Sequence, residues 1–260
     1  MSEQLVRVER EGHLAILTMN RPERHNALND AMGEAFSAAY EGLIHDSDVR
    51  CILLRGEGRS FCSGRDVAEL GHRARDESDF DFVRAHQDHR LSQLDAPKPI
   101  VAALKGAVLG GGCEMALAAD FRVAATDTYM ALPEINYGLV TDTGGSQMLS
   151  TLIGPSRTKY MLMTGRRIDA RTAYEWGAVD FLVEPAELDT FARDIAREVA
   201  SKSPLALALT KHLIDQRYAG EVRNGMRQEL IAQVAMFTSA DYKEARAAIR
   251  EKRKPVYRGR

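Results

Sequence analysis

The chain has 260 residues, 45% of them hydrophobic, which is enough to bury a sizeable core as one large domain or as a domain with an appendage. Its 35 Lys and Arg against 37 Asp and Glu leave a net charge of -2, without the overall cationic character that would by itself point to nucleic acid or a membrane surface. Any phosphate site therefore has to be local. Cys51, Cys62 and Cys113 are odd in number, show no CxxC spacing and fit reduced thiols in a cytoplasm-like compartment. Met1 to Arg10 carries charges throughout and lacks the apolar core of a signal peptide. No segment is long and apolar enough to span a bilayer, and a cytoplasmic location is the expectation.

Along the chain, Leu5 to Met19 alternates polar and apolar residues around Glu11-Gly12, which predicts a β-hairpin. Asn26 to His45 has helical spacing through Leu28, Met32, Phe36, Ala39, Tyr40 and Leu43, and Val49 to Leu54 reads as a buried strand ending at Gly56. Two short runs, Ile100 to Leu104 and Phe121 to Ala125, have strand character, with a glycine-opened helix between them. This alternation predicts an α/β fold. After Gly144 the pattern turns helical, with segments at Ser156 to Met163 and Ala170 to Trp176. A last strand, Ala178 to Val183, ends at Pro185. Ala186 to Lys254 then predicts three or four helices, broken at Ser203-Pro204 and Gly220, wrapping the core or a neighbouring subunit.

Chemistry concentrates at Gly110-Gly111-Gly112-Cys113-Glu114 and at Pro133-Glu134. A glycine run opening a helix aims bare N–H groups and the positive end of the helix dipole at whatever docks there, which favours an anion or a developing oxyanion. Glu114 lies one turn past Gly111 on the same face, so a carboxylate and a donor meet one ligand. That arrangement suits reactions beside a carbonyl. Taken alone, a triple glycine is a packing turn and each glutamate a solvated charge; the motifs around them argue otherwise.

In order, Asn20-Arg21-Pro22, Asn26-Ala27-Leu28, Phe61-Cys62-Ser63-Gly64-Arg65-Asp66, Gly110 to Glu114, Pro133-Glu134, Gly144-Gly145 and Glu251-Lys252-Arg253-Lys254-Pro255 resemble the enoyl-CoA hydratase/isomerase (crotonase) family nearly end to end. The resemblance implies a spiral of ββα units over residues 1–200 carrying the catalytic and CoA sites. It also implies a helical region over 201–260 for oligomerisation and pocket closure, in a trimer or dimer of trimers. An acyl-CoA substrate is implied, with no cofactor, since coenzyme A is part of the substrate. An oxyanion hole is implied at the backbone N–H groups of Arg65 and Gly111. Glu114 is implied as the base that activates water and Glu134 as the proton donor, although two coupled carboxylates around one water can share both roles. Arg24, His25, Ala27, Ser63, Arg65, Asp66, Val67 and Ala68 are implied along the CoA, and Lys252 at a CoA phosphate of the same or a neighbouring subunit.

The chain also departs from the hydratase pattern. Where hydratases commonly place Pro-Gly before the paired glycines, it reads Val140-Thr141-Asp142-Thr143. An aspartate at Asp142 resembles dienoyl-CoA and ring-opening isomerase branches, where it moves protons along the substrate; its structural alternative is a helix N-cap before Gly144. Retention of both glutamates favours hydration. His86 and His89 share a helical face but no cluster completes a metal site, so no metal is expected. Cys113 reads as a packed thiol, and the Gly106 to Gly112 segment does not match a dinucleotide loop. RNA binding, known for some hydratase relatives with a lysine-rich helix, is not expected here, because no comparable lysine comb is visible. The basic tail from Arg250 to Arg260 reads as a solvated terminus, apart from Lys252. Asp66 to Gln93, including Arg73-Ala74-Arg75 and Asp79-Phe80-Asp81, is expected to form the wall of the acyl pocket.

Overall fold

The computed structural model describes residues 4–72 and 76–260; Arg73-Ala74-Arg75, expected in the acyl-pocket wall, lies outside the described residues. Strands β1 (Val6–Glu11) and β2 (Leu14–Met19) form the expected antiparallel hairpin, with Gly12 at φ +58° in its turn. From β2 the large sheet continues in parallel through β3 (Cys51–Gly56), β4 (Ile100–Leu104), β6 (Phe121–Ala125) and β9 (Phe181–Val183). A small second sheet joins β5 (Ala107–Leu109), β7 (Tyr129–Ala131) and β8 (Ile168–Asp169).

Every residue of β2 and β4 is buried, as parallel strands covered on both faces must be. Side chains alternate between two cores. Leu14 and Ile16 of β2, Cys51 and Leu53 of β3, and Val101 and Ala103 of β4 face helix α7 (Leu188–Ala200), which covers them with Leu188, Ala192, Ala196 and Ala200, one residue per turn. Ala15, Leu17, Met19, Ile52, Leu54, Ala102 and Leu104 face the larger core on the other side.

One unit recurs: a strand of the large sheet, a short strand or bridge in a second layer, then a helix. It appears as β2, Leu28 and α1 (Asp30–His45); as β3, residues 62–65 and α2 (Asp79–Leu94); as β4, β5 and α3 (Gly111–Leu117); and as β6, β7 and α4 (Gly145–Ile153). In the second layer Leu28 bridges Arg65, Cys62 bridges Val108, and β5 pairs with β7, all in parallel. This is the ββα spiral the motifs implied. Beyond α4 follow α5 (Pro155–Thr164), α6 (Ala170–Trp176), α7, α8 (Pro204–Asp215), α9 (Ala219–Thr238) and α10 (Ala240–Glu251), the last four filling the expected helical stretch.

Two of the boundaries that differ from expectation have a visible cause. Helix α1 starts at Asp30 rather than Asn26, because the Asn29 side chain caps it by accepting from Met32 N at 2.9 Å while Leu28 is engaged in the second layer. Strand β9 starts at Phe181 rather than Ala178, whose N–H, like that of Val179, donates to the Ala173 carbonyl and closes α6.

The C-terminal tail is not simply solvated. Arg253 pairs with Glu244 and Glu251, the Arg258 and Gly259 amides donate to Asp241 at 2.7 and 2.8 Å, and the Tyr257 hydroxyl donates to the Asn136 carbonyl at 2.8 Å. Asn136 lies in the short 3-10 turn Glu134–Tyr137. Among the described residues no helix is long and apolar enough to cross a membrane.

Candidate active site

Residues 61–65 and 107–111 run side by side. Cys62 N donates to the Ala107 carbonyl at 3.1 Å, and the Cys62 carbonyl accepts from Leu109 N at 3.0 Å. A Cβ on Gly64 would stand 2.6 Å from the Leu109 carbonyl oxygen, so only glycine lets these backbones approach. On the other side Leu28 N donates to Gly64 O at 2.8 Å and Asp66 N to Leu28 O at 2.9 Å, a parallel register that turns the N–H of Arg65 away from Leu28. Gly111 opens α3, and its N–H is a first-turn donor with no intrahelical acceptor. Arg65 and Gly111 both line one cavity of about 360 Å³.

Among the carboxylates that line the same cavity are Glu114, Glu134 and Asp142. Glu114 is buried, and its oxygens accept from Thr143 N (3.1 Å), Gly145 N (2.9 Å) and the Thr143 hydroxyl (2.6 Å). A Cβ on Gly145 would lie 2.8 Å from Glu114 Oε1, so the second glycine of the pair is what admits this carboxylate to the start of α4. Glu134 extends from the 3-10 turn, and its Oε2 is buried with no hydrogen-bond partner among the described residues. Burial first, and the Glu114 charge second, hold the Glu134 carboxyl well above the usual carboxylate range. Asp142 accepts from the Gln233 amide at 3.1 Å, and burial, then Glu114 and Glu229, push its carboxyl up to about 8. It does not cap α4: the N-cap is Gly144, with no side-chain cap. The N-cap alternative for Asp142 therefore fails, because the chain turns at Gly144 (φ +93°) and sends Asp142 towards α9 instead.

Three supporting residues come from helices whose role the sequence left unread. Arg90, on α2, is a buried guanidinium that donates to the Gly111 carbonyl at 3.2 Å and to Gln93; its Nε has no partner among the described residues. Burial lowers its affinity for the proton while the Glu114 charge opposes that. Glu229 and Gln233, one turn apart on α9, accept from the Gly144 and Val140 amides respectively. The signal was a face: Val222 and Met226 begin an apolar stripe on α9 that Glu229 and Gln233 continue with polar groups, which demands buried partners.

The sequence profile described as Enoyl-CoA hydratase/isomerase matches residues 9–260. The chain belongs to the enoyl-CoA hydratase/isomerase family. It is 34% identical to a short-chain-enoyl-CoA hydratase of Clostridium acetobutylicum over 95% of each chain. It is 33% identical to a crotonyl-CoA hydratase of Syntrophomonas wolfei over 98% of each. An enoyl-CoA hydratase/isomerase crystal structure from Pseudoalteromonas atlantica superposes with a TM-score of 0.87 at 30% identity, covering 98% of this chain and 100% of that one.

Within this enoyl-CoA hydratase/isomerase chain, the implied CoA residues divide. Ser63, Arg65 and Val67 line the cavity, whereas Arg24, His25, Ala27, Asp66, Ala68 and Lys252 do not. His25 and Asn26 take left-handed conformations, and buried Asn26 holds the turn by accepting from Arg21 N and donating to the Glu57 and Ser60 carbonyls. The Arg65 side chain is engaged within the chain, 2.6 Å from Asp30 and 3.6 Å from Glu69. Asp66 pairs with Arg21 at 2.8 Å. Lys252 is the left-handed residue that ends α10. His86 turns Nδ1 to the Phe82 carbonyl at 2.7 Å, and burial lowers its basicity. Cys113 is buried and its thiol is pushed up by burial, as a packed thiol should be.

Proposed function

We propose that this enzyme adds water across the 2,3 double bond of a 2-enoyl-CoA to give a 3-hydroxyacyl-CoA. The observation that carries the reading is the meeting of Glu114 and Glu134 with the Arg65 and Gly111 amides around one cavity. Glu114, held as an acceptor by three donors, takes a proton from water through a free lone pair on Oε2. The water oxygen bonds to C3, and the electron pair of the double bond moves through C2 onto the thioester oxygen. The Arg65 and Gly111 N–H groups stabilise that enolate; one such donor is worth roughly 100- to 1000-fold in rate. Glu134, whose carboxyl burial pushes well up, delivers its proton to C2, and the proton taken by Glu114 passes back to Glu134 before the next turnover. Arg24, His25, Ala27, Ser63, Asp66, Val67 and Ala68 would hold the CoA, with Lys252 reaching a phosphate. Loss of enoyl-thioester absorbance with crotonyl-CoA and longer 2-enoyl-CoAs tests this; no turnover at any chain length would sink it.

A second reading rests on Asp142. A carboxylate in the cavity beside the two glutamates, pushed up to about 8 by burial and the Glu114 charge, suits double-bond migration, with Asp142 moving a proton between substrate carbons. Solvent deuterium appearing along the acyl chain, and lost in Asp142→Asn while hydration persists, would favour it.

The enzyme is further proposed to assemble with copies of itself through α8. Lys211 anchors this helix to Asp120 (2.5 Å) and pairs with Asp215 one turn on (3.1 Å), while Leu205, Leu209 and Leu213, spaced one turn apart, are exposed. In the trimer that family membership suggests, that stripe would be covered.

A further inference from the structure

The four amides at the start of α4 are shared in alternation between two carboxylates. Those of Thr143 and Gly145 go to Glu114; those of Gly144 (2.7 Å) and Ser146 (3.1 Å) go to Glu229. Glu229 also accepts from the Ser146 hydroxyl at 2.5 Å and the Thr141 hydroxyl at 3.2 Å. Gly225, one turn earlier on α9, lets that helix close on α4: a Cβ there would stand 2.1 Å from the Gln147 side chain. Each peptide unit is planar, so a group that holds the Gly144 and Ser146 amides restricts the Gly145 amide between them and that of Thr143 just before.

We propose that Glu229 is a positioning residue for hydration, gripping the first turn of α4 with both carboxylate oxygens so that the neighbouring Thr143 and Gly145 amides hold Glu114 on the reacting water. This rests on the hydratase reading. Each Glu229 oxygen accepts a backbone N–H, a task that needs the ionised form. An added proton, or an amide nitrogen in place of one oxygen, turns a donor against a donor. The charged groups facing it are Glu114 from α3, with Asp142 and Glu134 beyond. Arg90 on α2 answers Glu114 and Asp142. From α4 come only the Ser146 hydroxyl and two amides, and α10 meets α9 through the Phe237–Tyr242 contact. Burial, then the Glu114 charge, pushes the Glu229 carboxyl up to about 7, so its grip is released within the physiological range.

The test pairs kinetics with amide exchange. In Glu229→Gln, kcat for crotonyl-CoA should fall by on the order of 10- to 100-fold with KM within about twofold, and the fall in wild-type kcat below about pH 7 should vanish. In the wild type, hydrogen-exchange protection of the Thr143 to Ser146 amides, corrected for intrinsic rates, should drop between pH 8 and 6. An unchanged kcat in the variant, or pH-independent protection in the wild type, overturns the proposal. If the wild type hydrates no 2-enoyl-CoA, the hydratase reading fails, while the exchange measurement still reports whether Glu229 holds the turn.

Discussion

Oε1 of Glu134 lies 3.0 Å from the point that a Cβ on Gly110 would occupy. The first glycine of the run thus makes room for the Glu134 carboxylate, while its φ of +52° turns the chain into α3.

Gly110→Ala should therefore injure chemistry and folding by separate routes. Backbone strain in a region nearly exclusive to glycine costs about 1–3 kcal/mol, readable by urea unfolding. Displacing Glu134 should lower kcat by on the order of 100-fold with little change in KM. A kcat equal to wild type would show that the Glu134 carboxylate is free to move.

Asp142 should make stability fall as pH rises. Burial and the Glu114 charge push its folded carboxyl up to about 8 from an ordinary 3.8, so between those values the folded state holds a proton that the unfolded state has lost. Ionising it in the fold is unfavourable, and the penalty is complete above the folded value. Asp142→Asn removes that titration while keeping an acceptor for Gln233. The variant's Tm should gain on the wild type steadily from pH 5 to pH 8; a constant difference would contradict it.

Arg90 is the buried cation whose charge opposes those of Glu114 and Asp142. Arg90→Met should raise the pH at which Asp142 titrates, because the guanidinium is one of the influences holding it down. It should also free the Gly111 carbonyl, which Arg90 holds at the mouth of α3. Carboxyl NMR across pH 6 to 10 reads the first effect, and a titration unmoved from wild type would remove Arg90 from the electrostatics of the site.

Leu209→Glu with Leu213→Glu should shift the assembly towards smaller species in sedimentation, with helicity unchanged, since both side chains are exposed in the single chain. An unaltered sedimentation coefficient would place the contact elsewhere.

Strands β3, β4 and β6 were legible because double burial leaves continuous apolar runs, and β4 and β6 fall on the residues read from sequence. The glycine run and its glutamates were legible because they lie in contiguous motifs. Helix α2 was not: it carries Asp79, Asp81, Arg84 and Asp88 outside and buries Gln87, Arg90 and Gln93, so it has no apolar stripe to announce it. Three-residue strands such as β5 and β7 are too short to show a period. Arg90, Glu229 and Gln233 reach the site from other helices, and a lone charge on a helix reads as solvated until its neighbours in space are known.

The Tyr257 bond to the Asn136 carbonyl fastens the last residues of the chain to the turn that carries Glu134, and α9 supplies Glu229 and Gln233. During synthesis Glu114 and Glu134 leave the ribosome before these supports. Until α9 and this tail have emerged, the nascent chain holds the cavity glutamates without the groups that order them, so the site is assembled after its own residues are made.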